Sequence, residues 1–106
     1  MYYVSYITEY PIYEPAEGGY YYAGENVESC REFSTWKKAN RFYQKLRKEF
    51  LEMYEDEPER IWDYICGGIG KYGGSSVSYR SRYIGEGERV EISKVKPQGK
   101  GYEPYC

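Results

Sequence analysis

Between Ser34 and Tyr54 the apolar residues return every three or four positions: Trp36, Ala39, Phe42, Tyr43, Leu46, Phe50, Met53 and Tyr54. That spacing gathers them on one wide face of an α-helix with polar residues opposite. Ser34 and Thr35 can each cap its start, because a side-chain oxygen there accepts from an unpaired N–H of the first turn. A helix over residues 34–54 makes about six turns and is roughly 30 Å long. An apolar face of that length has to be covered, so the rest of the chain must supply a sheet or a second helix.

What can cover it is unusual. Of 106 residues only 17 are Leu, Ile, Val or Phe, a share more typical of disordered chains. Against disorder stand a formal net charge of only −2, 16 tyrosines and two tryptophans. Tyrosine therefore takes the place of aliphatic residues, and each buried ring brings a hydroxyl that needs a partner. The absence of histidine removes Ser-His-Asp and Cys-His catalysis and His-ligated zinc. Cys30, Cys66 and Cys106 are sparse, odd in number and without a CxxC pair, which reads as reduced thiols in a cytoplasmic protein. Cys106 is the one expected to be reactive, with Cys30 and Cys66 sheltered. The first residues have neither a basic region nor an apolar run, so no signal peptide is expected, and no segment reads as a membrane span.

Residues 2–10 alternate on two faces, Tyr2, Val4, Tyr6, Thr8 and Tyr10 against Tyr3, Ser5, Ile7 and Glu9. This predicts a strand with the first set toward the core. Pro11 and Pro15 lack backbone donors and are expected to end its pairing. Residues 20–23 read as a returning strand, Gly24-Glu25-Asn26 as a turn, and residues 27–33 as a third strand leading into the helix. Asp56-Glu57-Pro58-Glu59 resembles a helix start and predicts a short second helix over 57–66, with a short strand over 60–66 as the alternative. After a glycine-rich loop, Val77, Tyr79, Ser81 and Tyr83 alternate with Ser78, Arg80, Arg82 and Ile84 in a strand whose first set faces inward. Gly85-Glu86-Gly87-Glu88 is a hairpin turn and residues 89–96 the partner strand. The fold class is α+β: a small single domain over 1–97, with an antiparallel β-sheet of about four to five strands and both helices on one face. Residues 98–106 read as a mobile tail.

Three clusters are candidates for function. The first is an anion site. Arg80 and Arg82 stand two apart on one strand and can each grip a phosphate or carboxylate through paired N–H groups. The glycine loop could add backbone amides near Gly70 together with Lys71, Tyr72, Ser75 and Ser76, with Tyr21 as a stacking ring. Gly68 to Gly73 matches GxGxxG, but a strand follows where a dinucleotide fold needs a helix. The plainer alternatives are a flexible connector for the loop and a solvated arginine pair answered by Glu88 or Glu91.

The second cluster is the basic stripe Lys37, Lys38, Arg41, Lys45 and Lys48, followed by acids from Glu49 to Glu57. This order opposes the helix macrodipole, which favours acids first and bases last. Such a stripe could follow a nucleic-acid backbone, dock on an acidic protein surface, or be an ordinary solvated face. The third is the tyrosine surface. One core of this size cannot enclose 16 rings, and Tyr20, Tyr21 and Tyr22 cannot all point inward from a strand. Together, the Tyr-Gly-Ser content is of the kind that antibody paratopes use.

Nothing selects a catalytic carboxylate pair, and no cofactor or metal is expected, so the chain reads as a non-enzymatic binding protein. In style it resembles the small acidic single-domain proteins with which phages block host defences by stoichiometric binding. Two binding readings follow, with an enzyme using carboxylates as the third. One is capture of a small anionic, nucleotide-like ligand by tyrosine stacking and the Arg80–Arg82 cluster, in a pocket that a homo-oligomer could share. The other is a protein–protein inhibitor or adaptor that covers its partner with the basic stripe and a tyrosine patch including Tyr20 and Tyr22. The overall acidity speaks against specific DNA binding.

Overall fold

The computed structural model describes residues 1–14, 18, 20–64, 74–83 and 85–97. They form β1 (Tyr2–Glu14), β2 (Tyr20–Phe33), α1 (Trp36–Met53), a 3-10 turn (Pro58–Arg60), β3 (Ile61–Tyr64), β4 (Ser75–Arg80) and β5 (Gly87–Ser93). The five strands make one antiparallel sheet in the order β2-β1-β5-β4-β3, with β1 and β5 paired at its middle. A small α+β domain with one long helix is therefore the architecture.

The helix begins where its cap residues place it. Thr35 has extended backbone angles, and its hydroxyl accepts from the Lys38 N–H at 3.3 Å. Ala39, Tyr43 and Phe50 are buried against Val4, Val77, Val90 and Ile92, while Trp36, Phe42, Leu46, Leu51 and Tyr54 pack around them half-covered. Met53, expected on the same face, is 64 % exposed at the last turn. The Tyr43 ring has no exposure and its hydroxyl no hydrogen-bond partner. Burial pushes this phenol well above its ordinary value, with the nearby Asp63 carboxylate adding to the shift. At the centre of the sheet β1 is enclosed on both sides, so Ser5 and Ile7 are buried as fully as Val4.

Two expectations about the first hairpin are corrected. The pairing of β1 runs through Pro11 to Glu14. Beyond Glu9 the strand has only β2 as a neighbour, and such an edge tolerates a residue without an N–H. Nor do Gly24, Glu25 and Asn26 form a turn: they pair with Tyr10, Glu9 and Thr8 inside one 14-residue strand. Gly24 is there for space, because a Cβ at that position would fall within the Tyr10 ring laid across it. The irregularity sits instead at Glu28, an extra residue in β2 where the register shifts between Tyr6 and Ile7.

The second helix over 57–66 is also corrected. Proline and its acidic neighbours make only the 3-10 turn, after which Ile61, Trp62, Asp63 and Tyr64 pair with β4. Branched and aromatic residues such as Ile61, Trp62 and Tyr64 fit a pleated surface, and all four residues of β3 have strand partners there that a helix would forgo. Strand β4 ends at Arg80, earlier than its alternation implies. The chain then turns, with Ser81 N–H donating to Glu86 O at 3.1 Å and Glu86 N–H to Tyr83 O at 3.3 Å. Gly85 holds the left-handed conformation in that turn at φ 83°. Tyr83 consequently points outward, 71 % exposed, instead of into the core. Cys30 is exposed on the edge strand β2, not sheltered. Residues 65–73 and 98–106, with Cys66, Cys106, the glycine-rich loop from Gly67 to Gly73 and the expected tail, lie outside the described residues.

Candidate functional site

The basic stripe follows from the helical period. Successive residues turn about 100°, so Lys37, Lys48, Arg41, Lys45 and Lys38 fall within an arc of roughly 100°, about opposite the buried face. All five side chains are exposed, and none makes an ion pair among the described residues. From Lys37 to Lys48 the stripe is about 17 Å long. The first helical turn has no acid and the last no base, so the order read from the sequence is the order the helix carries. Arg31 on β2 extends the basic region, its guanidinium 4.6 Å from the Phe42 ring centre and 5.4 Å from that of Phe33. Sequence spacing offered no sign of Arg31, which reaches α1 only through the pairing of β2 with β1.

Arg47 and Arg89 show what a committed arginine looks like in this chain. Arg47 is half-buried at the edge of the helix face and forms a two-point bond with Asp63 of β3, its Nε 3.1 Å from Oδ1. That bond holds its proton more firmly still. Arg89 projects from the other side of the sheet. Its Nη1 lies 3.0 Å from both Glu9 and Glu25, its Nη2 3.1 Å from Glu25, and its Nε 3.3 Å from Glu91. Burial alone would lower its pKa, but the hydrogen bonds and charges of Glu25 and Glu91 raise it. Strands β2, β1 and β5 are thus tied by one guanidinium.

Of the anion cluster, Arg80 and Arg82 come together. Both are exposed and line one cleft of about 340 Å³ with Ser81, Tyr83, Gly85, Glu9 and Glu86. The Arg80 guanidinium stands 5.4 Å over the Trp62 ring, and Trp62 is itself 53 % exposed. Neither Glu88 nor Glu91 answers this pair; they hold Tyr54 and Arg89. Ser75 and Ser76 begin β4, some 13 Å or more along the strand from Arg80, and Ser75 is buried. Gly70, Lys71 and Tyr72 lie outside the described residues. Tyr20, Tyr21 and Tyr22 pair through their backbones with Glu14, Tyr13 and Ile12.

A second cleft, unforeseen from the sequence, opens where the end of α1 meets the β1, β4 and β5 edge. It measures about 430 Å³ and is lined by Thr8, Tyr10, Tyr54, Tyr79, Glu86 and Glu88, among others. Tyr54 and Tyr79 stack with ring centres 3.9 Å apart and planes 6° from parallel. Tyr54 donates its hydroxyl to Glu88, and Tyr79 donates to Glu57 at 2.6 Å. Burial, with the Glu88 carboxylate next, raises the pKa of both Tyr6 and Tyr54, while the bond to Glu57 is the main cause for Tyr79. These pairings join residues 22 and 34 positions apart, which no local pattern reports.

Among the described residues no group of three or more His, Cys, Asp or Glu is placed to hold a metal ion, and no helix is long and apolar enough to cross a membrane. The domain carries a tyrosine cluster and several basic–acidic ion pairs, consistent with a binding surface. The chain matches no protein-family model, no curated protein and no solved structure.

Proposed function

We propose that this domain is a non-catalytic binding module that docks the outer face of α1 on an acidic surface of a protein partner. One observation carries the reading: five exposed basic side chains share one helix face and make no ion pair among the described residues, while Arg47 and Arg89 are held by acids. Within the free domain that stripe is a liability. Its charges repel one another, and those in the first turn oppose the macrodipole by ~0.3–1 kcal/mol each. A complementary surface would turn the same charges into faster association and correct orientation. Stoichiometric inhibition in the manner of a phage defence inhibitor fits such a module.

Capture of a small anionic ligand is the second reading, supported by the shared cleft of Arg80 and Arg82. Glu9 and Glu86 line that cleft too and offset its charge, which is why the helix face comes first. Two variants separate the readings. In the first, Lys37, Arg41, Lys45 and Lys48 are all changed to Glu; in the second, Arg80 and Arg82 are changed to Ala. The partner recovered with the wild-type protein should be lost with the helix variant and kept with the arginine variant. Full retention by a folded helix variant would refute the docking reading. Heat on titration with mono-, di- or cyclic nucleotides, abolished by the arginine pair, would establish the second.

A further inference from the structure

We propose that the cleft beneath Tyr54 and Tyr79 binds an organic cation, an ammonium or guanidinium group on a short apolar stem. The proposal is separate from the helix stripe and stands on the shape and lining of the cavity. At about 430 Å³ the space falls in the range of small-molecule sites. Tyr10, Tyr54 and Tyr79 line it; the Tyr54 and Tyr79 rings cover one face of each other, and a ring face left open attracts a positive charge through the ring quadrupole. Carboxylates of Glu9, Glu86 and Glu88 line it as well, and no lysine or arginine among the described residues does.

Of those three acids only Glu9 has a basic partner among the described residues, Arg89 at 3.0 Å. Glu88 accepts from Tyr54, and Glu86 is reached by the Ser81 hydroxyl at 3.4 Å; neither bond neutralises the charge. Glu88 therefore faces the aromatic cavity without an ion pair among the described residues, and Glu86 faces it from the edge that it shares with Arg80 and Arg82. The tyrosines cannot relieve them by ionising, since that would add a third negative charge; the raised phenol pKa of Tyr54 is the same repulsion seen from the ring, acting together with burial. A cation from outside would satisfy both the acids and the rings. Glu86 stands between this cleft and the one holding Arg80 and Arg82, so the cation site has an anionic wall and a cationic rim.

Amide chemical-shift titration of the whole chain with choline, arginine amide and the neutral choline analogue 3,3-dimethylbutan-1-ol tests this. Choline reports a free quaternary ammonium and arginine amide a guanidinium of the kind a peptide would carry. At least one cation should shift amides around Ser81, Gly87 and Glu88, and bind roughly tenfold or more tightly than the neutral alcohol, as expected of a partly desolvated cation–π contact. Glu86→Gln, an exposed change that leaves the fold alone, should weaken the cation several-fold and leave the alcohol unaffected. Glu88→Gln keeps an acceptor for Tyr54 and should do the same. No localised shift with either cation, equal binding of the alcohol, or indifference to both substitutions overturns the proposal.

Discussion

The inner edge and the outer face of α1 carry the same charge and use it differently. Arg47 reaches off the buried side to Asp63 and thereby ties the short edge strand β3 to the helix. Lys37, Arg41, Lys45 and Lys48, on the side away from the sheet, make no ion pair among the described residues. Arg89 repeats the first pattern on the far face of the sheet with three acids at once. Positive charge in this chain is thus divided into a set spent on tertiary structure and a set without an ion pair among the described residues. The lesson is that net charge, here −2, hides the division, while the pairing of each side chain reveals it.

The largest effect should come from breaking the structural set. Arg89→Ala leaves Glu9, Glu25 and Glu91 facing one another and should cost roughly 2–3 kcal/mol, less than the 3–5 kcal/mol of a fully buried pair because water reaches these groups. Urea denaturation would read this as a lower midpoint.

Next in size is the core beneath the helix. Tyr43→Phe removes a buried hydroxyl that has no partner, so it should stabilise the fold by about 1–2 kcal/mol. The same rings make stability depend on pH. Tyr6, Tyr43 and Tyr54 hold their protons above the ordinary value of 10.0 when folded and release them near 10.0 when unfolded. The folded state then binds more protons than the unfolded, so stability is full below about pH 10 and falls as pH rises toward the folded values. Melting temperatures at pH 9 and pH 11 should show the loss, and Tyr43→Phe should make it shallower.

Arg47→Ala should cost about 1 kcal/mol, since its pair with Asp63 is only half-covered. Lys37→Glu should have the smallest effect and the opposite sign. An acid in the first turn suits the macrodipole and should stabilise the domain by ~0.3–1 kcal/mol. A drop in melting temperature with Lys37→Glu would place that lysine among the structural charges.

The helix was legible because its period and cap are local, and so was its basic stripe, which spans fewer than four turns. Strand β1 was legible by alternation. Gly24 misled because glycine beside Glu and Asn has the composition of a turn, whereas here it makes room for a ring across the hairpin. Pro58 misled in the same way, since the first residues of a helix and of a 3-10 turn look alike when only four residues of strand follow. The spacing put Arg80 and Arg82 on one strand, whereas β4 ends at Arg80 and Arg82 lines the same cleft from the turn that follows, joined by Glu9 from the first strand. The aromatic cleft was beyond reach altogether, because Tyr54 meets Glu88 only once β5 has returned to the middle of the sheet.

The claim that the outer face of α1 is kept for binding is tested most directly by a melting curve of the fourfold variant Lys37→Glu, Arg41→Glu, Lys45→Glu, Lys48→Glu. It should be recorded with and without the partner recovered by the wild-type protein. A partner that binds only the folded domain raises its melting temperature by mass action. The account predicts a variant that melts alone no lower than the wild type and gains nothing from the partner, while the wild type is shifted upward. A variant that melts lower alone, or one that the partner stabilises as fully as the wild type, would contradict it.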